Sequence, residues 1–142
     1  MNSSIRKYQK SCYLFILLLI LCSFRTIDQH KVTVWLIGDS TISIKEKRAY
    51  PETGWGMPFV NFFDSNVVVD NRAKNGRSTK TFLSEGLWKP VVENLKEGDY
   101  VFIQFGHNDE VKTKASYTTE AEFVANLEKY VKESRAKKRS RF

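Results

Sequence analysis

The sequence predicts an α/β fold in which a parallel sheet is covered by helices, and three features predict it. Between residues 32 and 131, short runs of β-branched and aromatic residues alternate with helix-like stretches, the order in which strands and crossover helices succeed one another in such folds. The runs are apolar throughout, as strands covered on both faces are. Each is followed at once by a loop rich in Gly, Asp, Ser and Asn, at the carboxyl end where open α/β sheets bind their ligands.

Three strands are expected, over Val32 to Ile37, Asn66 to Val69 and Tyr100 to Phe105. After the first, Gly54 to Phe63 offers a helix with Met57, Val60 and Phe63 facing inward. After the second, Thr79 to Leu95 reads as helix interrupted at Pro90, so that two short helices are expected in place of one. The last element is a helix from about 119 to 137. Thr119 and Glu122 form a capping box ahead of Phe123, Val124, Leu127, Tyr130 and Val131 at helical spacing. A helix with that stripe normally leads to a further strand, but the sequence given runs into Lys137, Lys138, Arg139, Ser140, Arg141 and Phe142.

The net charge of +7 divides unevenly. Residues 1–31 carry five Lys/Arg against one acid and residues 132–142 carry six against one, while the stretch between carries twelve against fourteen. A groove that neutralises phosphates is built from the folded body, which here is mildly acidic, so nucleic acid is excluded as a partner. At the amino end, Arg6, Lys7 and Lys10 precede an apolar run from Cys12 to Phe24 broken only by Ser23, the pattern of an export signal over residues 1–24 with no clear cleavage site. As a helix it reaches roughly 20 Å, short of a bilayer's roughly 30 Å hydrocarbon core. The expectation is an exported protein with no membrane attachment once the leader is removed. A lipoprotein anchor at Cys22 is the lesser alternative, because Leu21 is bulky for the position before such a cysteine. The two cysteines, Cys12 and Cys22, both fall in this segment, so the remainder needs no disulfide argument. Residues 32–137 then form a single partial domain and 138–142 a basic tail.

The three loops carry the chemistry. The first strand ends in Gly38, Asp39, Ser40, Thr41; the second is followed by Asn71 to Ser78, with Gly76 within it; the third by Gly106, His107, Asn108, Asp109. A serine at one strand end, a glycine amide on the next loop and a carboxamide on a third are the parts of an acyl-transfer site. The hydroxyl attacks a carbonyl, and N–H donors hold the oxyanion that develops.

IGDST at 37–41, NxAxNGRS at 71–78 and FGHND at 105–109, in this order and spacing, resemble the SGNH (GDSL-like) hydrolase superfamily and most closely its rhamnogalacturonan acetylesterase-like branch. The resemblance covers residues 32 to 131. It implies a three-layer α/β/α domain on a flavodoxin-like parallel sheet, here truncated after about three strands. It also implies a carboxylic ester hydrolase that removes acetyl groups from plant cell-wall polysaccharide of the rhamnogalacturonan type, with no metal or other cofactor. By the same resemblance Ser40 is the nucleophile. Its own N–H, the N–H of Gly76 and the side chain of Asn108 form the oxyanion hole, and Asp39, His107 and Asp109 support the loops.

One part of the family pattern is missing. The general base of the family is a histidine oriented by an aspartate three residues earlier, whereas this sequence has only His30, preceded at that interval by Ile27, and His107, which belongs to the third motif. A serine without its base is a weak nucleophile. The chain is therefore expected to be the N-terminal portion of such an enzyme, nearly inert alone, marginally stable and open to self-association through an unpaired strand edge. The alternative function is a non-catalytic truncated or polysaccharide-binding product. A glycosidase using Asp39 and Asp109 leaves Ser40, Gly76 and Asn108 unexplained.

Other residues have ordinary roles beside the functional ones. Asp39 and Ser40 suit a helix cap, Gly76 a turn, Asn108 and Asp109 an Asx turn. His107, Asp109 and Glu110 lack a metal-ligand spacing. Trp55 and Trp88 are either sugar platforms or core, and Arg72, Arg77 and Lys80 either meet an acidic polymer or are solvated.

Overall fold

The computed structural model describes residues 31–138, and the expected leader, Cys12, Cys22 and His30 lie outside them. Three parallel strands form the sheet: β1 (Val32–Gly38), β2 (Val67–Asn71) and β3 (Tyr100–Gln104), in the order β2-β1-β3. Pairing is in register from Val32 with Val67 to Leu36 with Asn71, and from Val34 with Tyr100 to Gly38 with Gln104. The most apolar strand is thus the central one.

Because side chains alternate across a strand, β1 serves two cores. Val34 and Leu36 pack with Ile42, beneath Phe59, Phe63, Val67 and Val69. On the opposite face Trp35 and Ile37 join Phe82, Trp88, Val91, Leu95 and Tyr130. Full burial of an apolar side chain such as Leu36 contributes about 1.5–3 kcal/mol. The first core is covered by the single turn α1 (Gly56–Phe59) and the 3₁₀ turn Val60–Phe62, the second by α2 (Thr79–Ser84), α3 (Lys89–Asn94) and α4 (Glu120–Lys138). The result is the three-layer arrangement that the sequence predicts.

The helices correct the sequence reading in three places. The stretch after β1 is one α-turn followed by a 3₁₀ turn, which shifts the inward positions: Val60 is exposed and Phe59 packs inward. The break between α2 and α3 falls at Gly86, whose φ of 72° ends a helix. Pro90 sits in the first turn of α3, where its missing N–H costs nothing. In α4, Val124 and Val131 are exposed while Tyr130 is fully buried. The helix also runs through Lys138, the first residue of the expected tail.

Two polar anchors fix the layers. Asp99, buried just before β3, accepts the backbone N–H of Thr33 at 2.8 Å, the indole N–H of Trp35 at 3.2 Å and the N–H of Lys96 at 3.0 Å. Tyr130 stacks on Phe105 and donates its hydroxyl to the Thr79 carbonyl at 2.8 Å, tying α4 to the start of α2. At the start of α4, the Thr119 N–H and hydroxyl both donate to Glu122, which holds that carboxyl below its usual range. No helix among the described residues is long and apolar enough to cross a membrane.

Candidate active site

Parallel strands that are neighbours in one sheet end on one rim, and the three motif loops leave that rim. Main-chain bonds continue past the strand ends. Arg72 N–H donates to Leu36 O at 2.8 Å, Lys74 N–H to Gly38 O at 3.0 Å and Asp39 N–H to Gln104 O at 3.2 Å. Gly38 is required for the last of these: a Cβ there would stand 2.3 Å from the Gln104 carbonyl oxygen. The nucleophile candidate is thereby held against both neighbouring loops at the level of the backbone.

The Asp39 and Ser40 loop is a tight turn. The Asp39 carboxylate accepts the Thr41 N–H at 2.8 Å through Oδ1, and its carbonyl accepts the Ser43 N–H at 3.1 Å. Asp39 is fully buried and its Oδ2 has no hydrogen-bond partner among the described residues. Ser40 is partly exposed, and among those residues its hydroxyl likewise has none. A hydroxyl presented this way is free to meet an incoming carbonyl.

Gly76 occupies the centre of the second loop with φ 75°, a backbone geometry that costs a side-chain-bearing residue about 1–2 kcal/mol. The residues on either side of it are tied in opposite directions. Towards the first loop, the Asn75 Oδ1 accepts the Ser43 hydroxyl and, at 3.3 Å, the Lys45 ammonium. Towards the third, the Arg77 carbonyl accepts the Asn108 Nδ2 at 3.1 Å. The guanidinium of Arg77 closes the turn by donating to the Asn75 carbonyl at 2.9 Å and is itself held by Glu85. Asn108 is buried. Its amide nitrogen carries two hydrogens, so one remains for a ligand after the bond to Arg77.

Asp109 turns inward. Its carboxylate accepts the Thr79 N–H and hydroxyl at 3.0 and 2.6 Å and the Thr118 hydroxyl at 3.0 Å. A buried carboxylate committed to three donors is not placed to act as a glycosidase acid or base. His107 and Glu110 lie on the surface with 4.0 Å between Nδ1 and Oε1, apart from the buried Asp109. Among the described residues no group of three His, Cys, Asp or Glu side chains could hold a metal ion.

The remaining candidates separate cleanly. Trp88 is core and donates its indole N–H to Glu133 at 2.6 Å. Trp55 is partly exposed, edge-on to Phe59. Arg72 is bidentate to Asp70 at 2.6 and 2.8 Å, and that hydrogen bonding raises its pKa further. The Lys80 ammonium donates to the Tyr117 carbonyl. All three basic side chains therefore have partners in the protein.

Three contributors to this rim go beyond the roles read from the sequence. Lys45 is buried although a loop lysine ordinarily reads as solvated. Ser43 and Asn75 join it; Asn75 stands in the NxAxNGRS motif, but nothing in its spacing shows which group it binds.

No family model matches the chain. Among curated proteins, it is 44% identical over 79 residues to the rhamnogalacturonan acetylesterase RhgT of Bacillus subtilis, covering 56% of this chain and 34% of that protein. It is 33% identical over 106 residues to the probable rhamnogalacturonan acetylesterase YesY of the same organism, covering 73% and 48%. The chain thus spans between a third and a half of the length of these two relatives. Among solved structures, the crystal structure of YxiM from Bacillus subtilis superimposes with a TM-score of 0.69 at 26% identity, over 76% of this chain and 30% of that one. In sequence the chain is similar to rhamnogalacturonan acetylesterases, in keeping with the SGNH-like motifs it carries, and in fold it is similar to YxiM.

Proposed function

We propose that these residues form the nucleophile and oxyanion part of a serine acetylesterase acting on acetylated polysaccharide of the rhamnogalacturonan type. In this reading the Ser40 hydroxyl attacks the acetyl carbonyl, and the N–H groups of Ser40 and Gly76 with the Asn108 carboxamide take the charge that forms on oxygen. Each such donor is worth about 2.7–4 kcal/mol of transition-state stabilisation. Asp39 and Asp109 hold the loops from below. The observation that carries the reading is the pair of tethers around Gly76: Asn75 is bound to the Ser40 loop and Arg77 to Asn108. The names of the curated relatives support the substrate class. An apolar leader over residues 1–24 would deliver the protein to where such polymers occur.

The base is the part these 142 residues do not supply, since neither His30 nor His107 follows an aspartate by three positions. We therefore place turnover outside the reach of residues 1–142 alone. The test is a chimera in which residues 32–131 replace the matching segment of RhgT. It is expected to release acetate from acetylated rhamnogalacturonan and to lose that activity with Ser40→Ala. A folded chimera that releases none, or whose activity survives Ser40→Ala, overturns the reading.

A further inference from the structure

Lys45 is the one lysine or arginine that is buried among the described residues, its side chain 2% exposed. An ammonium has three N–H donors, and here each has an acceptor: the Ser40 carbonyl at 2.6 Å, the Asn75 Oδ1 at 3.3 Å and the Glu52 Oε1 at 2.8 Å. Burying a charge in this way is costly unless every donor is matched. A neutral side chain would fill the space without that cost, so the charge calls for a reason.

The acceptors suggest one. The Ser40 carbonyl fixes the backbone of the residue bearing the candidate nucleophile, and the Asn75 side chain belongs to the residue whose peptide supplies the Gly76 N–H. We propose that Lys45 is a positioning residue, a cationic clasp that sets the separation between the Ser40 and Gly76 loops. Glu52, 63% exposed, is the outer partner and is shielded by water. The proposal rests on the esterase reading for its purpose, but the clasp itself is a property of the fold.

The experiment keeps the two apart. In the 142-residue chain, the backbone ¹⁵N order parameters of Ser40, Asn75 and Gly76 are measured for Lys45→Met and Glu52→Gln. With Lys45→Met they are expected to fall from about 0.85 towards 0.6, the change from rigid to flexible backbone, while those of β1 and α4 stay high. Glu52→Gln, which keeps the two inner acceptors, should leave them unchanged. Unaltered order at Ser40 and Gly76, loosening spread over the whole sheet, or the same loss in Glu52→Gln overturns the proposal. Should Lys45→Met not fold, the unsubstituted chain decides: a scalar coupling between Lys45 Nζ and the Ser40 carbonyl carbon supports the clasp, and its absence overturns it. In the RhgT chimera, Lys45→Met is expected to lower kcat roughly 10- to 100-fold with KM unchanged. An inactive chimera with an intact clasp would count against the esterase reading alone.

Discussion

Asp109 and Thr79, thirty positions apart, are joined by three hydrogen bonds from two Thr79 donors, through which the third motif loop holds the first residue of α2. Thr79 in turn receives the Asn126 carboxamide at 3.0 Å and the Tyr130 hydroxyl at 2.8 Å. One threonine therefore connects the candidate site to the long helix. Removing the carboxylate leaves two buried Thr79 donors and the Thr118 hydroxyl unmatched, each costing about 1–3 kcal/mol. Asp109→Ala is expected to destabilise the protein by roughly 3 kcal/mol or more in a urea titration, and Asp109→Asn by less.

The glycines at 38 and 76 should respond differently to alanine. At Gly38 a Cβ would meet the Gln104 carbonyl oxygen at 2.3 Å and Ile42 at 2.6 Å, both inside van der Waals contact, so β1 and β3 must separate. At Gly76 nothing lies within 4 Å, and the cost is the backbone strain alone, about 1–2 kcal/mol. Gly38→Ala should abolish cooperative melting, while Gly76→Ala should only lower the midpoint.

The Tyr130 phenol carries a pH dependence. Burial, and then the negative charges of Asp109 and Glu133, raise its pKa above the ordinary value of 10. The folded state keeps the proton where the unfolded state releases it. The contribution is therefore whole below pH about 10 and is lost as the pH climbs beyond it, with a slope of up to about 1.4 kcal/mol per pH unit. Tyr130→Phe should be less stable at neutral pH by about 1 kcal/mol, from the lost bond to Thr79. It should show a flatter alkaline decline. Thermal melts between pH 8 and 11 on both proteins check this.

Catalysis by the 142 residues themselves should be close to nil. Serine hydrolases that lose a triad member retain about 10³–10⁴ over water from binding and the oxyanion hole. Purified 1–142 is expected to hydrolyse p-nitrophenyl acetate no faster than its Ser40→Ala variant, and a stopped-flow burst that depends on Ser40 would contradict it.

The strands were legible from their apolar, β-branched runs, although only β1 is covered on both faces and the flanking strands, with fewer neighbours, expose Val68, Tyr100 and Phe102; α4 was legible because Thr119 and Glu122 mark its start. The motif loops followed, since parallel neighbours must end together. What escaped the sequence depends on tertiary packing. Val60 and Phe59 exchange places because a helix of one turn gives way to 3₁₀ geometry, and periodicity cannot anticipate that change. The break that the sequence suggests at Pro90 falls instead at Gly86, because proline disrupts a helix only beyond its first turn. The start of α2 at Thr79 falls where the sequence places it; its cap is the unexpected part, since Ser78 and Thr81 cap each other reciprocally, with threonine standing where the familiar box has Glu or Gln. Lys45 was invisible for a simpler reason. A lysine between exposed Ile44 and Glu46 gives no sign that its ammonium faces inward.

The placement of β1 between strands that come later in the chain governs how the protein must be made. A growing polypeptide exposes Val32–Gly38 first, yet its two flanks find their partners only when residues from 67 and from 100 onward emerge. At a synthesis rate of about 5–20 residues per second, the ribosome takes several seconds to deliver both. Until then the most water-averse stretch of the sheet is bare along one edge or both, so newborn chains are expected to gain from a holding chaperone, and depleting one should reduce yield before any loss of stability in the finished protein is seen.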